Sequence, residues 1–250
     1  MTATSIDLNC DLGESFGAWQ VTDEQAVVPF IDRANVACGF HAGDPTTILK
    51  TLTLAKEHNV AIGAHPSYPD IAGFGRRSMN ISDADLHALI LYQASAIDGL
   101  AQSIGCSMSY IKPHGALYND MMKDDEILNS VMQATQSFHS DVALMLQATN
   151  QWQSHQEMAD ALGVAVLFEA FADRAYTDEG LLVPRNQPNA VHDHAGMLKQ
   201  AQDLIQEGYI RSVSGKVLTL KVDTLCVHGD SPDAIEGVKA IRALLSKHAL

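Results

Sequence analysis

Residues 6–11 read Ile-Asp-Leu-Asn-Cys-Asp, and this run decides the fold. Side chains alternate across an extended strand, so Ile6 and Leu8 share one face while Asp7, Asn9 and Asp11 share the other. A helix can cover the first face. The second is too polar for that and must look into a hydrated or hydrogen-bonded interior. The pattern recurs along the chain: His65 ends GAHP (63–66), Lys112 and His114 lie opposite Ile111 in YIKPHG (110–115), Glu169 follows Leu167 in LFEAF (167–171), and His228 closes the apolar run of TLCVHGD (224–230).

Short apolar runs alternate with stretches of helical period from end to end. The expected strands are Ile6 to Cys10, Ala34 to Cys38, Val60 to Ala64, Tyr110 to Lys112, Val142 to Leu146, Val164 to Phe168 and Thr224 to His228. The helix after the second strand is signalled by Asp44 as cap, Pro45 in its first turn, and Ile48, Leu52 and Ala55 on one face. Further helices are expected over Ser82 to Ser103, Asp124 to Phe138, Asn150 to Leu162, His194 to Glu207 and Pro232 to Ser246, with a small hairpin around Gly215. This rhythm fits an α/β fold, a single-domain TIM-like barrel over residues 1–250 with about seven parallel strands. A doubly wound sheet gives the same alternation. Polar groups at the end of nearly every strand favour the barrel, whose sites gather at the C-terminal strand ends.

Sixteen basic against 30 acidic residues leave a net charge of -14, with no positive excess to neutralise phosphates or anionic lipid. Neither nucleic acid nor a membrane surface is an expected partner. The first residues lack a basic start and an apolar run, so a cytoplasmic location is expected. Cys10, Cys38, Cys106 and Cys226 lie far apart, as reduced thiols in a large core do.

If the strands are parallel, Asp11, Glu14, His41, His65, Lys112, His114, Asp173, Arg174 and His228 converge at one mouth. A polar layer in a barrel can be purely structural, and Asp7 or Asn35 alone carries no more than that. So many unlike ionisable groups together point to catalysis. Asp11, His65 and His114, from three strand ends, form a candidate trio for a divalent metal such as zinc, or equally a proton-transfer network. The glycines of GFHAGDP and GFGRR let backbone N–H groups approach an anion, with Arg76 and Arg77 adding donors. No glycine-rich loop ending in Lys-Ser or Lys-Thr is present, so the sequence shows no ATP site of its own. Met121, Met122, Trp152 and Phe168 read as packing; His58, His87, His139, His155 and His248 read as solvent-facing.

The segments DLNCDLGESFG, ANVACGFHAGDP, GAHPSYPDIAGFGRRSM, KPHGALYN, FEAFADRAYTDEGLLVPR and DTLCVHGDSP run in order from residue 7 to residue 232. Together they resemble the LamB/YcsF family, which supplies the A component of the prokaryotic 5-oxoprolinase. The resemblance implies a barrel of the kind shared with certain sugar deacetylases. It also implies ATP-dependent opening of 5-oxoproline to L-glutamate together with separate subunits B and C, ATP and its magnesium entering through the complex. In that reaction Asp11 or Glu14 is the expected base. His65 and His114 orient water, directly or through a metal, and Lys112 and Arg174 neutralise phosphate or the substrate carboxylate. His228 protonates the leaving nitrogen, with Asp173 or Asp230 fixing its tautomer, while Asn9, Asn35, His41 and Arg76 bind substrate. Two other readings stay open: a stand-alone metal-dependent amide hydrolase or deacetylase, and a non-catalytic component that delivers substrate.

Overall fold

The computed structural model describes residues 6–138, 141–227 and 232–248. Seven parallel strands close into a barrel: β1 (Asp7–Leu12), β2 (Arg33–Ala37), β3 (Ala61–His65), β4 (Met108–Ile111), β5 (Ala143–Gln147), β6 (Val166–Phe171) and, after a small antiparallel pair β7 (Ile210–Arg211) and β8 (Val217–Leu218), β9 (Thr224–Cys226). Closure runs through β9, which pairs β6 at Glu169↔Thr224 on one side and β1 at Asn9↔Cys226 on the other. The hairpin expected around Gly215 is the β7–β8 pair.

The helices in chain order are α1 (Glu24–Val27), α2 (Pro45–Glu57), α3 (Asp83–Ser103), α4 (Gly115–Met121), α5 (Asp125–Phe138), α6 (Trp152–Leu162), α7 (His194–Glu207) and α8 (Pro232–His248). Leu8, Cys10 and Leu12 of β1 are fully buried on the side the helices cover, as the alternation in IDLNCD requires. Asp44 caps α2 by accepting from the Thr46 and Thr47 N–H groups, and Ile48, Thr51, Leu52 and Ala55 form its buried face. On α3, Gln93 turns inward to bond both the N–H and the C=O of Ser67, pinning the loop that follows β3 just beyond His65.

Two expectations change. β4 ends at Ile111, so Lys112 and His114 sit in the turn before α4, a seven-residue helix too short to show a period in KPHGALYN. His155 is buried rather than solvent-facing: with Ala159 one turn later it forms the inner face of α6, and burial pushes its imidazole below the usual histidine range. Among the described residues no helix is long and apolar enough to cross a membrane.

Several barrel strands bury polar side chains completely: Asn9, Asn35, Tyr110, Glu169 and Thr224. Between β3 and β4 the pairing slips, from Ile62↔Met108 to Gly63↔Tyr110, which brings the Tyr110 ring across Gly63. A Cβ on Gly63 would lie 2.2 Å from that ring, so the position admits no side chain. We expect Gly63→Ala to cost about 1–3 kcal/mol, the range for overpacking a filled core, read as a lowered denaturation midpoint in urea.

Candidate active site

The floor of the barrel mouth is built around Lys112, whose ammonium lies 2.8 Å from Asp11 Oδ1 on β1 and 2.8 Å from Glu169 Oε1 on β6. It also donates to Asn9 Oδ1 at 3.3 Å. Asn35 ties the same groups from β2, its Nδ2 2.8 Å from both Asn9 Oδ1 and Asp11 Oδ1, and receives the Tyr110 hydroxyl at 2.7 Å. Tyr118 of α4 donates to Glu169 Oε2 at 2.6 Å. Burial alone would push the Lys112 amine down; Asp11, with Glu169 and Cys226 behind it, more than reverses this and holds it well above the ordinary lysine value. Lys112 is therefore a fixed cation, and burial followed by the Glu169 charge pushes the Tyr118 phenol up.

Above this floor three imidazoles and a carboxylate crowd together. His65 Nδ1 meets the Lys112 carbonyl at 2.6 Å and His114 Nε2 meets the Phe74 carbonyl at 2.9 Å. A carbonyl oxygen only accepts, so both of those nitrogens carry a proton; the other two, His65 Nε2 and His114 Nδ1, face each other at 3.0 Å, and Asp11 Oδ2 lies 3.4 Å from His65 Nε2. Glu14 Oε1 lies 3.7 Å from His114 Nδ1 and 3.4 Å from His41 Nε2. The His41 ring stacks on His114, centroids 3.7 Å apart and planes within 2°. Among the described residues neither His41 nitrogen has a hydrogen-bond partner. Burial, then the neighbouring imidazoles, pushes the His41 and His114 values well below the usual histidine range. Gly75 closes over the group, where a Cβ would lie 2.8 Å from His114 and 2.9 Å from His41. Glu14, His41, His65 and His114 each offer one ligand atom, all within 4.8 Å of one another, and form a cluster able to hold a metal ion.

Both layers open into a cavity of about 610 Å³, the size of a small-molecule site. Arg76, Arg174, Arg185 and Lys123 line it together with Asp120 and Asp173, so that away from the floor cations outnumber acids in a chain whose overall charge is -14. Arg174 is anchored by the Val183 carbonyl at 2.7 Å and the Ala190 carbonyl at 3.3 Å, both in the segment that follows β6. Burial, then Arg185, lowers its value to about 10, which still leaves it charged at neutral pH.

The LamB/YcsF family profile matches residues 6–250. The chain belongs to the LamB/YcsF family. Among its relatives, the Vibrio cholerae protein named as the A component of 5-oxoprolinase is 47% identical over 248 residues, covering 99% of this chain and 100% of its own length. A Pseudomonas aeruginosa protein that bears the same 5-oxoprolinase name is 46% identical over 245 residues, 98% of each chain. The crystal structure of a lactam utilization protein from Thermus thermophilus superposes with a TM-score of 0.88 at 36% identity, covering 97% of this chain and 96% of that one.

In this LamB/YcsF chain Asn9, Asp11, Glu14, Asn35, His41, His65, Lys112 and His114 converge as their strand positions suggested, and Arg76, Asp173 and Arg174 line the cavity. Arg77 turns outward onto Asp70, away from any anion in the mouth. His228 and Asp230 lie outside the described residues. Of the expected metal trio, His65 and His114 stand together, Asp11 places Oδ1 on Lys112 and Asn35 and Oδ2 3.4 Å from His65 Nε2, and Glu14 joins the imidazoles. The residue missed from sequence is Tyr118, which sits on a helix too short to announce itself. Glu169 had the parity of an inward group but no visible partner, and so no role. Replacing Lys112 with Met leaves two carboxylates without their cation, and we expect a loss of about 3–5 kcal/mol in urea unfolding. Adding Glu169→Gln to that variant should recover part of it.

Proposed function

We propose that this chain catalyses the hydrolytic opening of 5-oxoproline to L-glutamate, coupled to ATP hydrolysis, as the A component of a 5-oxoprolinase acting with separate subunits B and C in the cytoplasm. The observation that carries the reading is the cationic rim of Arg76, Arg174 and Arg185 above a floor of carboxylates, imidazoles and Lys112, in a chain otherwise strongly acidic. Such a rim suits a small anion. The full-length similarity to relatives named for 5-oxoprolinase supports 5-oxoproline as that anion.

The ring of 5-oxoproline is a resonance-stabilised amide whose closed form is favoured, so its hydrolysis needs coupling. Transfer of the ATP γ-phosphoryl group to the amide oxygen, performed or shared by the partner subunits, supplies it. The sequence of this chain contains no phosphate loop, which agrees with that division of labour. Here the ring carboxylate pairs with Arg174 or Arg76, and water attacks the activated carbonyl carbon. Asp11 or Glu14 takes the proton from that water, and His65 and His114 orient it. Lys112 neutralises the charge that develops on oxygen and phosphate. The C–N bond then breaks, with His228 as the proposed proton donor to nitrogen, and leaves a γ-glutamyl phosphate; a second water displaces phosphate from it, and glutamate remains. A second reading, an amide hydrolase that depends on a metal and needs no partner, is favoured by the Glu14–histidine cluster. It requires turnover by this chain alone without ATP.

The test is glutamate release from 5-oxoproline and ATP with this chain alone, with its B and C partners, and with the partners alone. Glutamate should form only in the complete mixture. Full-rate release by the partners alone would reduce this chain to a delivery or regulatory role. Within the active mixture, Asp11→Asn should lower kcat by about 10²–10⁴-fold with KM little changed, the loss typical of a proton-transfer group.

A further inference from the structure

His65 Nε2 and His114 Nδ1 face one another at 3.0 Å, while the other nitrogen of each ring donates to a backbone carbonyl, that of Lys112 and that of Phe74. In the neutral rings these are two lone pairs aimed at one another, an arrangement relieved by a cation between them, whether a shared proton or a metal ion. Backbone carbonyls bound to the outer nitrogens are also the arrangement that orients metal-ligating histidines and raises their basicity. Glu14 brings a carboxylate oxygen to 3.7 Å from His114 Nδ1, with its side chain largely covered.

We propose that Glu14, His65 and His114 form a site for one divalent d-block cation, zinc being the representative ion. Two imidazole nitrogens and one carboxylate oxygen make a borderline donor set that suits zinc, cobalt, manganese or iron, whereas magnesium and calcium take oxygen donors. Three protein ligands leave positions open, the composition of catalytic zinc sites. His41 is not a ligand. Imidazole lone pairs lie in the ring plane, and with the His41 and His114 planes parallel and stacked, an ion in the plane of one stands off the plane of the other. His41 instead walls the site, its two unbonded nitrogens available to whatever the ion holds. Asp11 Oδ1 is committed to Lys112 and Asn35, and its Oδ2 stands 3.4 Å from His65 Nε2, at the edge of the site. The inference deepens the hydrolytic reading of this mouth: with Glu14 assigned to the ion, Asp11 remains as the proton acceptor.

The test needs no substrate, nucleotide or partner, so its failure is separable from failure of the ring-opening reading. The full-length chain is stripped with EDTA and titrated with zinc chloride, then with cobalt chloride, by calorimetry and visible absorption. The expected result is one ion per chain, a rise in Tm on loading, and no displacement by millimolar magnesium. Glu14→Gln and His114→Gln should each weaken zinc binding at least ~10-fold, the scale of loss when a metal site is disturbed. Circular dichroism of the metal-free variants checks that they fold, and His65→Gln replaces either one that does not. Absence of binding, binding unchanged in the folded variants, or equal affinity for magnesium would each overturn the proposal.

Discussion

The whole mouth of the barrel depends on one buried ammonium. Lys112 leaves the end of β4 and is met by Asp11 from β1 and Glu169 from β6, so a single cation ties together strands from three parts of the ring. Without it, two carboxylates would face each other in a region closed to water, a state that folding energies of ordinary size do not tolerate. The pairing therefore does two things. It compensates the charges that the chemistry needs, and it fixes them: Asp11 is held by Lys112 and Asn35 on one oxygen, and the Lys112 carbonyl in turn orients His65. The histidine layer is thus set by the backbone of the same residue whose side chain sets the layer beneath.

How much of this was legible in the sequence follows from the range of each signal. Period-two alternation in IDLNCD needs only neighbouring residues, so the barrel, its seven strands and the inward faces of Asn9 and Asp11 were readable. Pairings between distant segments were not. Glu169 in an apolar strand looked the same whether satisfied or orphaned, because its partners Lys112 and Tyr118 lie more than fifty residues away. Arg77, adjacent to Arg76 in sequence, diverges from it because Asp70 intercepts its guanidinium within one turn of chain. His155 fell on the inner face of α6, where one histidine among polar neighbours gave no hint of burial. The contacts of Asp11 with Lys112, Asn35 and His65, and of Glu14 with His41 and His114, were likewise beyond a one-dimensional reading.

With seven strands, β6 pairs directly with β9, and the chain between them is released to run over the mouth. That excursion carries Arg174, clamped by the Val183 and Ala190 carbonyls of the same segment. Its charge is thereby placed by local backbone, independent of the floor. The division is useful: anion recognition belongs to one segment, proton chemistry to the strand ends, and each can vary without dismantling the other.

The Tyr110 ring lying across Gly63 has a further effect. Together with Asn9, Asn35 and Glu169, all fully buried, it stoppers the barrel beneath the cavity. Arg76, Arg174 and Arg185 line the cavity above this stopper. An anion that they draw in is also one that they hold, so their attraction hastens arrival and delays departure. The charge of that rim governs traffic in both directions, and a rim made more cationic would gain capture at the expense of release.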